Sequence, residues 1–347
     1  MAFTTVDDPS KYFQVTTYTS NGSAASVTNA GNSDLQPDWI WATSTSHAVG
    51  YEVWDSTRGV NATIFSQAAD AEDTASNRLV SFDSDGFSYG TAGNAQQAGS
   101  FIAWQWKANG GSTSSNGDGS ITSTVQANTT AGVSVVTWTG TGSAATIGHG
   151  LGKKPALIIS KNRTSSANWS VRHHNTANNY DFLTLNTDDN ATANDSVWTQ
   201  TNPTASVFSI GTANQINQNT HNIVAYCLAD IPGYQKIGKY TGNADVSGTF
   251  IYTGFKPNWV IIKRIGSADH WNSWDLARSP INPAQATMQL NRVTANNTDT
   301  AFKLDLLSNG FKIRTTFSGM NSAETYIYYA VAKHPLVTSK KAACPAQ

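Results

Sequence analysis

The stretch KPNWVIIKR, residues 256–264, has two counterparts in the chain: KPALIISKN at 154–162 and QPDWIWAT at 36–43. In each, a proline precedes an apolar run. Proline is tolerated at the first residue or the edge of a strand but not within a central ladder, so the run after it reads as a strand that begins there. An apolar run of this length between turn formers, without polar alternation, reads as a strand covered on both faces. Pro37, Pro155 and Pro257 lie 118 and 102 residues apart.

Working outward, other landmarks repeat at nearly the same steps. An aromatic-Thr turn closes the opening strand in QVTTYTSNG (14–22), SVVTWTGTG (134–142) and KIGKYTGNA (236–244). After the proline strand come GYEVWDSTRG (50–59), WSVRHHNTA (169–177) and WNSWDLARS (271–279). A polar stretch then closes on Phe87, Phe208 and Phe311, and the last strand runs through SFIAWQWKA (100–108), NIVAYCLAD (222–230) and YIYYAVAKH (326–334). Five landmarks in one order define three tandem copies.

Composition fits short strands joined by polar turns. Only 13% of the 347 residues are charged, against about 25% in an average domain, while Trp, Tyr and Phe number 11, 12 and 13. Aromatic and β-branched residues favour strands. The net charge of −1 offers no basic field for nucleic acid. No apolar run approaches the roughly 20 residues of a membrane-spanning helix, and the opening MAFTTVDDPS lacks a secretory pattern. Neither membrane insertion nor nucleic-acid binding is expected.

The copies divide the chain into an N-terminal attachment segment (1–11), module 1 (12–108), a Gly/Ser/Asn-rich linker (109–132), module 2 (133–231), module 3 (232–335) and a C-terminal tail (336–347). The linker composition predicts flexibility. Modules 2 and 3 meet at ADIPGYQ with almost no spacer and are expected to pack as a pair. The polar stretches 67–78 and 186–198 read as long loops, the natural interaction surface.

Equivalent positions in the copies hold Trp54 and Asp55, Arg172 and His173, and Trp274 and Asp275, which stand out as candidate ligand or interface residues. Other constellations have simpler readings. Asp83 and Asp85 before Gly86 could offer oxygens to Ca²⁺, but the other copies lack them and an Asp-Gly turn explains the position. His149 lies in GHGLGKKP, a tight turn with no helix behind it to bind phosphate. His173 and His174 are strand neighbours that point to opposite faces. Cys227 and Cys344 have no metal or redox spacing. Without a G-x-S-x-G elbow or comparable context, no catalysis, metal or cofactor is expected.

The motifs YTSNG, WTGTG, GHGLGKKP, KNRTSSANW, YTGFKPNWVIIKR, DLLSNGFKIR and YIYYAVAKHP, with the opening MAFTTVDDPSKYFQ, resemble a family of uncharacterised virion-associated proteins. These occur in phages and prophages of marine bacteria and cyanobacteria, and the resemblance runs the length of the chain. It implies an all-β protein of three tandem β-sandwich modules, jelly-roll or lectin-like. It also implies a structural role in a phage virion with the position left open; the place expected is the outer surface, the tail ahead of the capsid. The function expected is that of a tail-associated or fibre-type receptor-binding protein, a homo-oligomer and foremost a trimer, whose polar loops meet a host surface glycan or outer-membrane protein. The alternative is a capsid decoration, head fibre or baseplate accessory bound to other virion proteins, with no receptor role.

Overall fold

A computed structural model of the chain describes residues 4–94 and 97–338; Cys344 and the rest of the tail beyond residue 338 lie outside the described residues, as do residues 1–3. The protein is nearly all β, with several sheets and, among the described residues, two helices of four residues each, Asn214–Asn217 and Ser318–Asn321.

One strand order recurs in the three copies. In the first, the order is Phe13–Asn21, Ala98–Trp106, Trp39–Ser44, Glu52–Asp55, Ile64–Phe65. The third has Gln235–Thr241, Thr325–Pro335, Phe255–Arg264, Asn272–Asp275, Met288–Gln289, and the second has Val133–Thr139, Asn222–Leu228, Leu157–Asn162, Ser170–His173, Asp181–Thr184. The strand that opens each copy pairs with the one that closes it. The register is preserved as well: Trp39 faces Trp106, Leu157 faces Leu228 and Trp259 faces Val331. A smaller sheet accompanies each, formed by Ala25–Thr28, Gly86–Tyr89 and Leu79–Asp83 in the first copy and Phe250–Tyr252, Gly310–Ile313 and Leu304–Leu307 in the third. In the second it has two strands, Ala145–Gly148 and Val207–Ile210.

Alternation along the strands sends successive side chains to opposite faces. Ile40, Ala42, Trp54 and Ala103 thus pack with Val27, Leu79, Phe87 and Tyr89 of the small sheet in a sandwich-like layer. Their neighbours Trp39, Trp41, Trp104 and Trp106 point the other way. There they enter one continuous core with Val133, Val135, Leu157, Ile159 and Tyr226 of the second copy and Trp259, Ile261 and Tyr329 of the third. Trp39 stacks on Tyr226 at 4.3 Å and Trp104 on Trp259 at 5.4 Å between ring centroids. Copies one and two therefore each have a private core on one face and a share of a common one on the other, whereas in copy three the residues under the small sheet, among them Ile251, Trp274 and Phe311, run on into the common core.

The copies close into a ring through three main-chain hydrogen bonds at equivalent positions. Glu72 N–H donates to the Arg163 carbonyl at 2.9 Å, Ala191 N–H to that of Ile265 at 3.0 Å, and Asn296 N–H to that of Thr45 at 3.0 Å. Donors and acceptors run from copy one to two, two to three and three back to one. Indole donors follow the reverse course, with Trp169 Nε1 on the Phe65 carbonyl at 2.9 Å and Trp271 Nε1 on that of Thr184 at 3.0 Å.

Two expectations differ from this arrangement. The segment 109–132 is not a free tether: Ser114–Asn116 and Ser123–Asn128 extend the second sheet beyond Val133–Thr139. Its ladder hydrogen bonds and the buried Gln126 side chain, which donates to Ser56 Oγ and Thr57 Oγ1 at 3.0 Å, fix it between copies one and two. The pairing of copies two and three is likewise not exclusive, because copy one shares the common core with both. The long loops also do more than face solvent: Glu72 and Ala191, two of the three ring donors, lie in 67–78 and 186–198.

Candidate functional site

The six residues singled out by the repeat are all buried. Asp55 accepts from Arg58 Nε at 2.5 Å and, across the boundary between copies, from the Tyr226 hydroxyl at 2.8 Å. Arg58 also pairs with Glu72 at 2.7 Å, and Glu72 with Arg163 of the second copy at 2.7 Å. Burial opposes ionisation of Glu72, but Arg163 and Arg58 hold its carboxyl below the ordinary value. Asp275 repeats the device: Arg278 Nε donates to it at 2.7 Å and Trp104 Nε1, from the first copy, at 3.3 Å. Trp54 packs in the private core of copy one and Trp274 under the small sheet of copy three, their indoles donating to Thr63 Oγ1 at 2.8 Å and to the Phe302 carbonyl at 3.0 Å. These four residues are therefore joints between and within copies. The Asp-x-x-Arg spacing that makes the joint is visible in GYEVWDSTRG and WNSWDLARS, although only the acid was singled out from the sequence.

The second copy breaks the pattern. His173 stands where the other copies have Asp, and Thr176 where they have Arg. Burial pushes the His173 imidazole down to about 3, and its Nε2 is enclosed without a hydrogen-bond partner. His174 Nε2 meets the Ile237 carbonyl at 3.0 Å, so the two histidines both serve the boundary with copy three. Among the described residues no three His, Cys, Asp or Glu side chains gather as a metal site. Asp85 accepts from Leu35 N–H at 3.1 Å and Asp83 from Ser88 Oγ at 2.7 Å, as side chains that shape a turn. Gly86 there has φ +120, and a Cβ on it would come within 1.9 Å of the Val27 carbonyl oxygen, which explains the Asp-Gly pair.

The small outer sheets give the clearest surface feature. Their equivalent strands place a buried residue, Val27, Ile147 or Ile251, opposite Phe87, Phe208 or Phe311. The flanking residues point outward in copies one and three, as Ser26 and Thr28 and as Phe250 and Tyr252, whereas Thr146 and Gly148 of copy two are covered by 116–121, where Ser120 N–H donates to Thr146 Oγ1 at 2.8 Å. Phe250 and Tyr252 are 42% and 54% exposed. Two copies build the same strand with small or hydroxyl residues, so the sheet does not require aromatic rings there. Exposed large apolar side chains grouped together mark interaction surfaces.

Tyr252 also walls a cleft of about 430 Å³ lined by Ile231, Pro232, Gln235, Leu336 and Val337. At its edge Lys236 Nζ pairs with Asp230 at 3.0 Å. An apolar wall, an aromatic ring and a few convergent polar groups are the usual makeup of a small-ligand site. The alternation FIY before TGF could have disclosed this shelf in the sequence, had outward positions been compared between copies.

A family model described as a domain of unknown function, DUF7483, matches residues 8–335. The chain belongs to that family. The match takes in all three copies at once, from the Asp8 cap of the first turn to Pro335 at the end of the last strand, so the DUF7483 unit is the whole ring. No curated protein and no solved structure matches the chain.

Proposed function

We propose that this DUF7483 chain is a non-catalytic recognition protein of a virion surface, on the tail, that binds the apolar face of a host sugar on the Phe250–Tyr252 shelf. The observation that carries the binding reading is the comparison with copy one: aromatic rings stand outward in copy three at positions where the equally open strand of copy one folds with Ser26 and Thr28. An aromatic ring offers a flat apolar face to a pyranose while the Tyr hydroxyl keeps a polar handle. Asp230 and Lys236 beside the cleft supply partners for sugar hydroxyls. The virion placement, and with it a homo-oligomer of three chains, rests on the sequence resemblance. In the same reading each copy is one sandwich module, jelly-roll or lectin-like, supported by the paired large and small sheets.

A second reading has one observation of its own. Phe250–Tyr252 is the outer strand of its sheet, and an edge strand can accept a strand of another protein. The shelf would then dock a virion partner in a decoration or baseplate role. Screening the purified chain on a glycan array, then titrating the best neutral sugar, separates the two. Phe250→Ser with Tyr252→Thr installs the first copy's residues and should fold. Loss of sugar binding in that variant supports the proposal, whereas a bare array or undiminished binding overturns it.

A further inference from the structure

At the position of Trp54 and Trp274 the second copy has Arg172. Along Ser170–His173, alternation turns Val171 toward the common core and Ser170 and Arg172 to the opposite face. Arg172 is 4% exposed. It makes one hydrogen bond among the described residues, from Nη2 to Asn202 Oδ1 at 3.3 Å. No carboxylate among the described residues acts on it; burial lowers its pKa, to about 10, which leaves it cationic at neutral pH.

Arg58, in the same chain, shows what a structural buried guanidinium looks like. It pairs with Asp55 and Glu72 and donates to the carbonyls of Ala62 and Val53 and to the Tyr226 hydroxyl. Arg172 has five N–H groups to place, and one is placed. The remaining four have no protein acceptor among the described residues, yet Nε and Nη1, which have no partner, are not sealed from solvent. A buried charge is ordinarily paired, because removing it from water without a counter-charge is costly. Here the fold buries the cation, and no anion among the described residues accompanies it.

We propose that Arg172 is the receptor for an oxyanion group of a ligand, which enters from the solvent side beside Asn202 and completes the guanidinium's hydrogen bonds. A planar guanidinium suits a carboxylate or a phosphate or sulfate ester, since each presents two acceptor oxygens. The site lies in copy two and is independent of the neutral-sugar shelf in copy three.

The test is calorimetric titration and thermal unfolding of the full chain at constant ionic strength, with chloride as the reference. Glucuronate probes the carboxylate source; inorganic phosphate and sulfate probe the tetrahedral one. Saturable binding by one class, with a matching rise in melting temperature, is expected and identifies the source. Arg172→Trp, which restores the residue of the other copies, and Arg172→Gln should each weaken binding at least tenfold. A wild-type chain no more responsive to these anions than to chloride, or either folded variant binding as tightly as wild type, overturns the proposal.

Discussion

The Tyr226 hydroxyl of the second copy donates to Asp55 of the first at 2.8 Å, and Trp104 of the first copy donates to Asp275 of the third at 3.3 Å. Both acids sit where solvent does not reach and each neutralises an arginine three residues on. Asp55→Ala would strand Arg58 as a buried, partly unpaired charge, and breaking a buried pair on one side costs about 3–5 kcal/mol. Tyr226→Phe removes the hydroxyl's bonds to Asp55 and from Arg58 but leaves those two charges paired with each other, and a hydrogen bond to a charged group is worth about 1.5–3 kcal/mol. Urea denaturation of both variants checks the order: Asp55→Ala should have the lower midpoint.

Restoring the joint in the second copy needs two substitutions. His173→Asp alone places an acid in a buried position without its arginine and should destabilise the ring. Thr176→Arg added to it recreates the Asp-x-x-Arg spacing of copies one and three. A double-mutant cycle is expected to give a favourable coupling of about 1–3 kcal/mol, and additivity within error would refute the equivalence of the three positions.

Stability should fall as acid is added, and His173 sets part of the slope. Its folded-state imidazole is held down to about 3, while in the unfolded chain it titrates near 6.5. The unfolded state therefore takes up the proton first, so stability is lost as pH drops below about 6.5 and the loss levels off below the folded value. Burial lowers His174 and His149 as well, with the same sign. Between pH 6.5 and 5, His173→Leu should flatten the dependence of the urea midpoint on pH; an unchanged slope would count against it.

The common core predicts that the chain unfolds as one body. Fragment 133–335 keeps two copies but loses the Trp39, Trp41, Trp104 and Trp106 face and the acceptor Asp55. The full chain should show a single thermal transition, coincident by near- and far-ultraviolet circular dichroism. The fragment should melt well below it or expose apolar surface to a dye. An equally stable fragment would show that copy one is an appendage.

Much of this was readable from the residues. Pro37, Pro155 and Pro257 marked three strands whose register holds in the ladder pairs of all three sheets, but Phe255–Arg264 starts before its proline, and Pro257 sits inside that strand at a bulge. Alternation in WIW and WQW placed Trp39 with Trp41 and Trp104 with Trp106. Which face was private and which was shared could not be read, because both are apolar in every copy. The 109–132 segment misled because its Gly and Ser average hides Ser123–Asn128, a strand whose partner Val133–Thr139 lies just beyond it. Phe250 and Tyr252 were hidden for the opposite reason: an aromatic residue in a strand reads as core until the same position in another copy shows that the core does not need it.

The bond between Asn296 and Thr45 joins residues 251 positions apart. A chain emerging from the ribosome completes its first copy with four indoles facing outward, and their partners Tyr226, Trp259 and Tyr329 are not yet made. Synthesis at about 5–20 residues per second leaves that tryptophan face uncovered for some ten seconds or more. Closing the ring is thus a late, long-range step of the kind that slows folding, and the first hundred residues need either a chaperone or a low local concentration until the third copy arrives.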